Sequence, residues 1–134
     1  TLTSLHIKFE QAVSDEEMEI LTKMETLTSL NIIRSNITGE VLPPNLKHLS
    51  LVSAKITEHG LNRISKLPLR SLTLVNCGLT DDTIAYLRPL DLMRLDIRKN
   101  YITAKGMTNI KFANYRYFKH DPVSIKHLIT YLYS

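Results

Sequence analysis

The chain has 134 residues, of which 43% are apolar, and carries a net charge of +4 at pH 7. This length and composition predict one globular domain spanning residues 1–134. No apolar run approaches membrane-spanning length and residues 1–8 do not resemble a signal peptide, so we expect no membrane association. The single cysteine, Cys77, excludes an internal disulfide and fits a reducing, cytoplasmic compartment.

Leucine and isoleucine recur along the chain with the same stepping of three, two and five residues. The two clearest copies start at Leu69 and Leu92, and both fit the pattern L-x-x-L-x-L-x-x-N/C-x-L, with Cys77 and Asn100 in the N/C position. Three weaker copies start at Leu2, Leu27 and Leu46. The spacings between successive starts are 25, 19, 23 and 23 residues, which indicates units of similar but variable length.

Each copy predicts a short strand. Apolar residues two positions apart, such as Leu72 and Leu74, place both side chains on one face of a strand. At the N/C position that follows, a buried polar side chain can bond the backbone groups that the turn leaves unpaired. One copy cannot bury its own leucines, so we expect the copies to stack side by side with their strands in a parallel sheet.

The segments between the strands are predicted to be mostly helical. Ser14–Glu17 has the sequence of a capping box and opens an amphipathic run. The apolar residues of this run are Met18, Ile20, Leu21 and Met24. Thr57, Thr80 and Thr103 each follow the last apolar residue of a copy, where threonine is a good N-cap. Residues 38–44 include two prolines and are too few for a helix, so we expect an extended or turn-like connection there.

Toward the C-terminus the repeat pattern degrades, as terminal repeats do. One more period predicts a last, atypical strand containing Tyr115 and Phe118. Asp121 and Pro122 suit the N-cap and first residue of a closing helix, so residues 111–134 are predicted to form a C-terminal cap. No matching N-terminal cap is visible, and two explanations stay open: the chain is an excised fragment, or a partner covers its first strand.

If the repeated leucines point into a core, the strand positions between them point outward on the predicted concave side of the sheet. The central outward column contains His6, Asn31, Ser50, Thr73 and Asp96. The next column contains Lys8, Ile33, Val52, Val75 and Arg98. This second column places three β-branched apolar side chains in succession where water is expected, with a cation at each end. Such a stripe is typical of a protein-binding surface, although β-branched residues also suit strands in their own right.

The loops that follow the strands extend this predicted surface. They carry Phe9, Arg34, Ser53, Asn76 and Lys99, followed by Gln11, Asn36, Lys55, Gly78 and Tyr101. Arginine and tyrosine dominate the binding energy of many interfaces and phenylalanine is common there, although Phe9 can equally pack inside the weak first copy. The predicted partner-binding residues are Lys8, Phe9, Asn31, Ile33, Arg34, Val52, Thr73, Val75, Asp96, Arg98, Lys99 and Tyr101.

Charge changes sign along the chain. Residues 1–45 hold 3 basic and 7 acidic side chains, residues 46–87 hold 5 and 3, and residues 88–134 hold 9 and 3. The basic C-terminal third favours a partner with an acidic surface. Its predicted outward members are Arg94, Arg98, Lys99, Lys105, Arg116 and Lys119. Nucleic acid is a disfavoured alternative, because the basic residues are spaced, no nucleic-acid-binding motif is present and the acidic first third would repel phosphate.

No catalytic constellation is visible, so the sequence predicts a protein that is not an enzyme. Cys77 occupies a position predicted to be buried, and no histidine falls at a neighbouring strand position to act as its base. The five histidines lack metal-ligand spacing. Asp81 and Asp82 follow Thr80 and suit a helix start better than a catalytic carboxylate pair. No glycine-rich phosphate loop occurs, and we expect neither a metal nor a cofactor.

The repeated spacing resembles the leucine-rich repeat family over about residues 2–110, and the copies at Leu69 and Leu92 are the most specific. Segments 56–61 and 102–107 begin with Ile-Thr and place glycine three residues after the threonine. They are similar to the outer segments of ribonuclease-inhibitor-like and GALA-type repeats. The resemblance implies an α/β solenoid with a curved parallel sheet on its concave side, short helices on its convex side, about five repeats and a C-terminal helical cap.

The resemblance also implies a function. Ribonuclease-inhibitor-like proteins cover an enzyme's active site, and GALA-type proteins are effectors that bacteria deliver into the host cell cytosol. We therefore expect a non-enzymatic protein-protein interaction module that acts through its concave sheet and loops, as an inhibitor or regulator of a partner enzyme or of another effector. The alternative is the substrate-recognition arm of a host ubiquitin ligase, although no F-box-like helical segment is visible.

Overall fold

The computed structural model describes residues 3–8, 13–108, 110 and 117–121, with the backbone alone for residues 6–8. The strands are β1 (Ser4–Lys8), β2 (Ser29–Ile33), β3 (His48–Val52), β4 (Ser71–Val75), β5 (Arg94–Asp96) and β6 (Tyr117–Lys119). The helices are α1 (Asp15–Thr22), α2 (Glu58–Ile64), α3 (Asp81–Ile84), a 3-10 helix (Ala85–Leu87) and α4 (Ala104–Thr108). The fold is therefore α/β, with short helices.

All six strands form one parallel sheet in sequence order, β1-β2-β3-β4-β5-β6. The repeated apolar residues pair with one another across the sheet, so that Leu49 lies beside Leu72 and Leu72 lies beside Leu95. Each of the five predicted copies supplies one strand, and each connection brings the chain back beside the strand it has just left. The predicted parallel sheet is confirmed.

One face of the sheet is buried. In β4, Leu72 and Leu74 are buried while Ser71, Thr73 and Val75 are partly exposed, which is the period of two expected for a strand with one covered face. The helices add Met18, Leu61, Ile64, Ile84 and Met107 to the same apolar cluster. Burial of each leucine contributes roughly 1.5–3 kcal/mol, so the cluster is the main source of stability.

The helices begin where the sequence predicts. The Glu17 carboxylate accepts hydrogen bonds from the hydroxyl of Ser14 and from its backbone N–H, which completes the capping box of α1 and lowers the pKa of Glu17. The Thr57 hydroxyl accepts from the backbone N–H of Gly60 at 3.0 Å, and Thr80 caps α3 in the same manner. Residues 34–47 contain no helix, as the prolines predict.

Ile20 departs from the predicted apolar face of α1. It is 69% exposed, whereas Met18 is fully buried. Successive residues in an α-helix turn by about 100°, so a residue two positions after Met18 lies about 200° around the helix and points away from the core. The apolar run in the sequence therefore contains one residue on the wrong face.

The last strand contains Phe118, as predicted. Phe118 pairs with Leu95 of β5 and packs against the core. Its neighbours Tyr117 and Lys119 are exposed. Tyr115, Arg116 and the predicted closing helix lie outside the described residues, as does the start of the first copy at Leu2.

Candidate functional site

The sheet face opposite the core, here called the outward face, carries side chains in three columns, because the strands pair in register. Its carboxyl-side column contains Lys8, Ile33, Val52 and Val75. Its central column contains His6, Asn31, Ser50, Thr73, Asp96 and Lys119. Its amino-side column contains Ser4, Ser29, His48, Ser71, Arg94 and Tyr117. Positions His6 and Lys8 are assigned from backbone pairing alone.

Ile33, Val52 and Val75 form an apolar stripe in the carboxyl-side column. Ile33 pairs with Val52, and Val52 pairs with Val75. All three are partly exposed, and none belongs to the partly buried apolar side chains that pack against the described core. With neighbouring strands about 4.8 Å apart, the stripe extends about 10 Å across the sheet. Lys8 is the next position in the column, on β1.

The central column is polar. Asn31, Ser50 and Thr73 are partly exposed. The Asn31 side-chain oxygen is buried and has no hydrogen-bond partner among the described residues. An unmet acceptor of this kind costs about 1–3 kcal/mol. This column separates the apolar stripe from the amino-side column.

Arg98 lies beyond the end of β5, but its carbonyl accepts from the N–H of Asn76 as that of Val75 accepts from Ser53, so its backbone keeps the predicted place beside Val75. Strand β5 ends at Asp96, whose carboxylate accepts hydrogen bonds from the backbone N–H of Arg98 at 3.2 Å and from its Nε and Nη2, each at 2.9 Å. An aspartate that bonds the backbone two residues ahead favours a turn and so ends the strand. The same bonds raise the pKa of Arg98 and neutralise part of its charge.

The loop edge beside the apolar stripe has a repeated left-handed backbone. Arg34, Ser53, Asn76 and Lys99 have φ angles of 61°, 59°, 55° and 60°. Three of their N–H groups donate to a carbonyl of the next unit: Arg34 to Val52, Ser53 to Val75 and Asn76 to Arg98. The N–H of Lys99 donates instead to the Asp121 carboxylate, at 2.8 Å. This backbone costs a non-glycine residue about 1–2 kcal/mol, and the added bonds offset that cost.

The asparagine at the N/C position links two neighbouring units. The side-chain oxygen of Asn100 accepts from the N–H groups of Cys77 at 2.9 Å and Leu79 at 3.1 Å. Its side-chain nitrogen donates to the carbonyls of Leu74 at 2.7 Å and Ile97 at 2.8 Å. The amide thus satisfies backbone groups of its own turn and of the preceding one, as expected for this position.

Cys77 occupies the same position in the preceding unit and contacts backbone carbonyls through its thiol. Its Sγ lies 3.4 Å from the carbonyl oxygens of Leu51 and Val75, and the residue is buried, as predicted. Burial raises the pKa of the thiol to about 11, so the thiolate is scarce at neutral pH. Within the described part of the chain, no group of three or more histidine, cysteine or carboxylate side chains could hold a metal ion.

Tyr101 is a highly exposed member of the predicted contact residues. Its side chain is 76% exposed, while its backbone forms a bridge to Thr80 and donates to the carbonyl of Leu79 at 2.8 Å. A fixed backbone presents the ring to solvent at low entropic cost, which suits a binding residue. Phe9, the other aromatic residue predicted at this edge, lies outside the described residues.

The sequence-based interpretation missed the amino-side column. Met93, immediately before β5, is 40% exposed, and Tyr117 on β6 is 49% exposed. The guanidinium carbon of Arg94 lies 4.3 Å from the centre of the Tyr117 ring. The period of two that assigned the other columns also assigns His48 and Arg94 to this face. Tyr117 could not be assigned in that way, because the repeat pattern weakens before it.

No protein-family model matches this sequence, and neither does any curated protein. None of the described helices is long and apolar enough to cross a membrane. The features that the outward face brings together are an apolar stripe, a polar central column, a basic and aromatic amino side, and a loop edge carrying exposed Arg34, Lys99 and Tyr101. These features are suited to contact with another macromolecule.

Proposed function

We propose that this protein is a leucine-rich repeat solenoid that serves as a non-enzymatic binding module for another protein. Two observations support the repeat assignment. The five predicted copies supply adjacent strands in sequence order, and the amide of Asn100 bonds the turn of the copy before it. In such an array each unit buries its leucines against its neighbours, so the residues between the leucines form one continuous binding surface.

The observation that carries the proposed function is the apolar stripe. Ile33, Val52 and Val75 are adjacent, partly exposed and separate from the core cluster. Polar side chains border them on both sides, with Thr73 in the central column and Arg34 at the loop edge. An apolar centre inside a polar rim is the usual anatomy of a protein interface. Branched side chains also lose little rotamer freedom when a partner covers them.

The size of the outward face suits a protein partner. Six strands about 4.8 Å apart give a width of about 24 Å, and a strand of five residues is about 17 Å long. The product is about 400 Å², roughly half of the 800 Å² that a typical interface buries on each partner, so the loop edge must supply the rest of the contact. A rigid surface of this extent can cover the entrance of another protein's active site, so we propose a regulator or inhibitor of a partner enzyme.

The test of this proposal is affinity purification from the native source, with wild-type protein and the double variant Ile33→Asp/Val75→Asp as baits. Binding would bury both new carboxylates, so capture of the partner should fall about tenfold or more, measured by quantitative mass spectrometry. The melting temperature should change little, because both positions are already partly exposed.

The matched control is Ile20→Asp, which places the same charge on an exposed isoleucine of α1 and should leave capture unchanged. If the double variant fails to fold, Ile33→Thr/Val75→Thr removes the apolar groups while keeping β-branched residues in the strands. Capture at the wild-type level by a folded double variant would exclude the outward face as the binding site.

A further inference from the structure

The amino ends of strands β3 to β6 carry a second cluster of interface-type residues. Its members, here called the amino-side patch, are His48, Arg70, Met93, Arg94 and Tyr117. The central polar column separates this patch from the apolar stripe. Methionine, tyrosine and arginine are enriched at protein interfaces relative to the rest of the surface, and here the methionine and the tyrosine are both exposed.

Arg94 is the centre of the patch. Its guanidinium carbon lies 4.3 Å from the centre of the Tyr117 ring, so the cation is held against the aromatic face. Its side chain has no hydrogen-bond acceptor among the described residues. A guanidinium stacked on a ring keeps its N–H donors in the plane, where they can bind a carboxylate with two parallel bonds. Less rotamer entropy is lost on binding, because the ring already restricts the side chain.

Open hollows flank Arg94 on two sides. One is bounded by His48, Arg70, Ser71, Met93 and Arg94. The other is bounded by Thr73, Arg94, Leu95, Asp96, Tyr117 and Lys119. The first can take an apolar side chain against the exposed part of Met93, next to the carboxylate position at Arg94.

The carboxylates near the patch do not neutralise it. Asp91 lies 3.8 Å from Arg70, but its side chain is almost fully exposed, and a pair of this kind contributes little. Asp96 is already bonded to Arg98. In the described part of the chain, no carboxylate forms an ion pair with Arg94 or with Lys119. The patch therefore keeps a positive charge available to a ligand.

We propose that the amino-side patch binds an acidic, extended segment of a partner protein. A carboxylate of the segment pairs with the guanidinium of Arg94, and a neighbouring apolar side chain enters the hollow beside Met93. This site does not depend on the apolar stripe, so it can bind its segment whether or not the stripe is the main binding surface.

A peptide fits the patch better than a nucleic acid does. Binding to single-stranded nucleic acid uses a groove of cations along the backbone and several rings on which successive bases stack. Here the patch offers the imidazole of His48 and one phenol ring, Tyr117, which Arg94 already covers on one face, together with a hollow beside the side chain of Met93. The acidic first third of the chain would also repel a long phosphate backbone.

The experiment is a fluorescence anisotropy titration at low ionic strength, about 0.05 M, where surface charge is weakly screened. The probe is a short labelled peptide with a single leucine between aspartate and glutamate residues. We expect saturable binding that Arg94→Gln and Met93→Ser each weaken by about fivefold. The matched control is Arg88→Gln, which removes one exposed charge outside the patch and should leave binding unchanged.

The outcomes separate this site from the proposed apolar stripe. The variant Ile33→Asp/Val75→Asp should bind the peptide with nearly wild-type affinity, whatever its effect on capture of the native partner. Absence of binding, or an equal loss for Arg94→Gln and Arg88→Gln, would overturn the site. Tighter binding of a single-stranded oligonucleotide of equal length would overturn the choice of a peptide. Circular dichroism confirms that each variant is folded.

Discussion

Glycine at the third position of α2 and of α4 lets each helix pack closely against the preceding unit. A Cβ atom added to Gly60 would lie 1.9 Å from the backbone oxygen of Thr38, and one added to Gly106 would lie 2.1 Å from the carboxylate oxygen of Asp81. The two glycines occupy the same position of the Ile-Thr-x-x-Gly segments, Thr57 and Thr103 being three residues earlier. The motif is therefore explained by contact between units.

Replacement of Gly60 by alanine should destabilise the fold by about 3 kcal/mol or more, because the obstructing atom belongs to the backbone and cannot rotate away. The loss should occur although alanine favours a helix by about 1 kcal/mol over glycine. Urea denaturation measures the change. Gly78→Ala is the comparison: no neighbouring atom lies within 4 Å of its added Cβ, and its φ of +75° alone should cost about 1 kcal/mol. Equal losses would disprove the packing explanation.

The first residue of a helix can bond the turn of the next unit. The Asp81 carboxylate at the start of α3 accepts from the N–H of Thr103 at 2.8 Å and from its hydroxyl. The Asp15 carboxylate at the start of α1 accepts from the same two groups of Thr38, at 3.0 and 2.7 Å. In α2 the equivalent residue is Glu58, which instead accepts from the hydroxyl of Tyr86. Aspartate at this position joins neighbouring units, beyond its favourable charge at a helix start.

Asp81→Asn should cost about 1–2 kcal/mol more than Asp82→Asn, measured by chemical denaturation. Both changes remove one negative charge from the start of α3, so their interaction with the helix end is nearly the same. The difference isolates the two bonds to Thr103, since an amide accepts through one oxygen where the carboxylate accepts through two. Indistinguishable stabilities would mean that these bonds contribute nothing.

Local signals in the sequence predicted the elements well. The capping box at Ser14 and the threonine caps at Thr57 and Thr80 follow from rules that involve only a few neighbouring residues. The bond from Thr103 to Asp81 joins residues 22 positions apart, and no local pattern identifies such a pair. The sequence also did not predict that β5 ends at Asp96, since the apolar stepping continues through the buried Ile97.

For the whole molecule, the sheet order is the sequence order, so most contacts join neighbouring units. Strand β4 pairs with β3 and β5 alone among the described strands, and α3 contacts α4. The stepping of leucines was enough to predict this arrangement and two of the outward columns. It also assigns His48 and Arg94 to the outward face, but it could not place Met93 and Tyr117 beside them, because their positions depend on where β5 and β6 begin.

Leu74→Ala, in the middle of the sheet, should cost about 2–5 kcal/mol, because the side chain is fully buried. Because each unit contacts mainly the units next to it, the loss of stability should be confined to the strands around β4. Hydrogen exchange should therefore speed up most in β3, β4 and β5, and least in β1. Leu74→Ile keeps the volume and should cost less than about 1.5 kcal/mol. A uniform acceleration across all strands would show that the sheet opens as one unit.

The bond between Lys99 and Asp121 governs how the molecule could be lengthened. At the three earlier loop edges that the structure describes, the N–H donates to a peptide carbonyl of the following unit, whereas at Lys99 it donates to a side-chain carboxylate. A peptide group accepts through its carbonyl and donates through the N–H of the next residue, whereas the Asp121 carboxylate can only accept. An engineer who wishes to add a unit should therefore insert it ahead of Arg94, where the peptide group at each loop edge both accepts and donates.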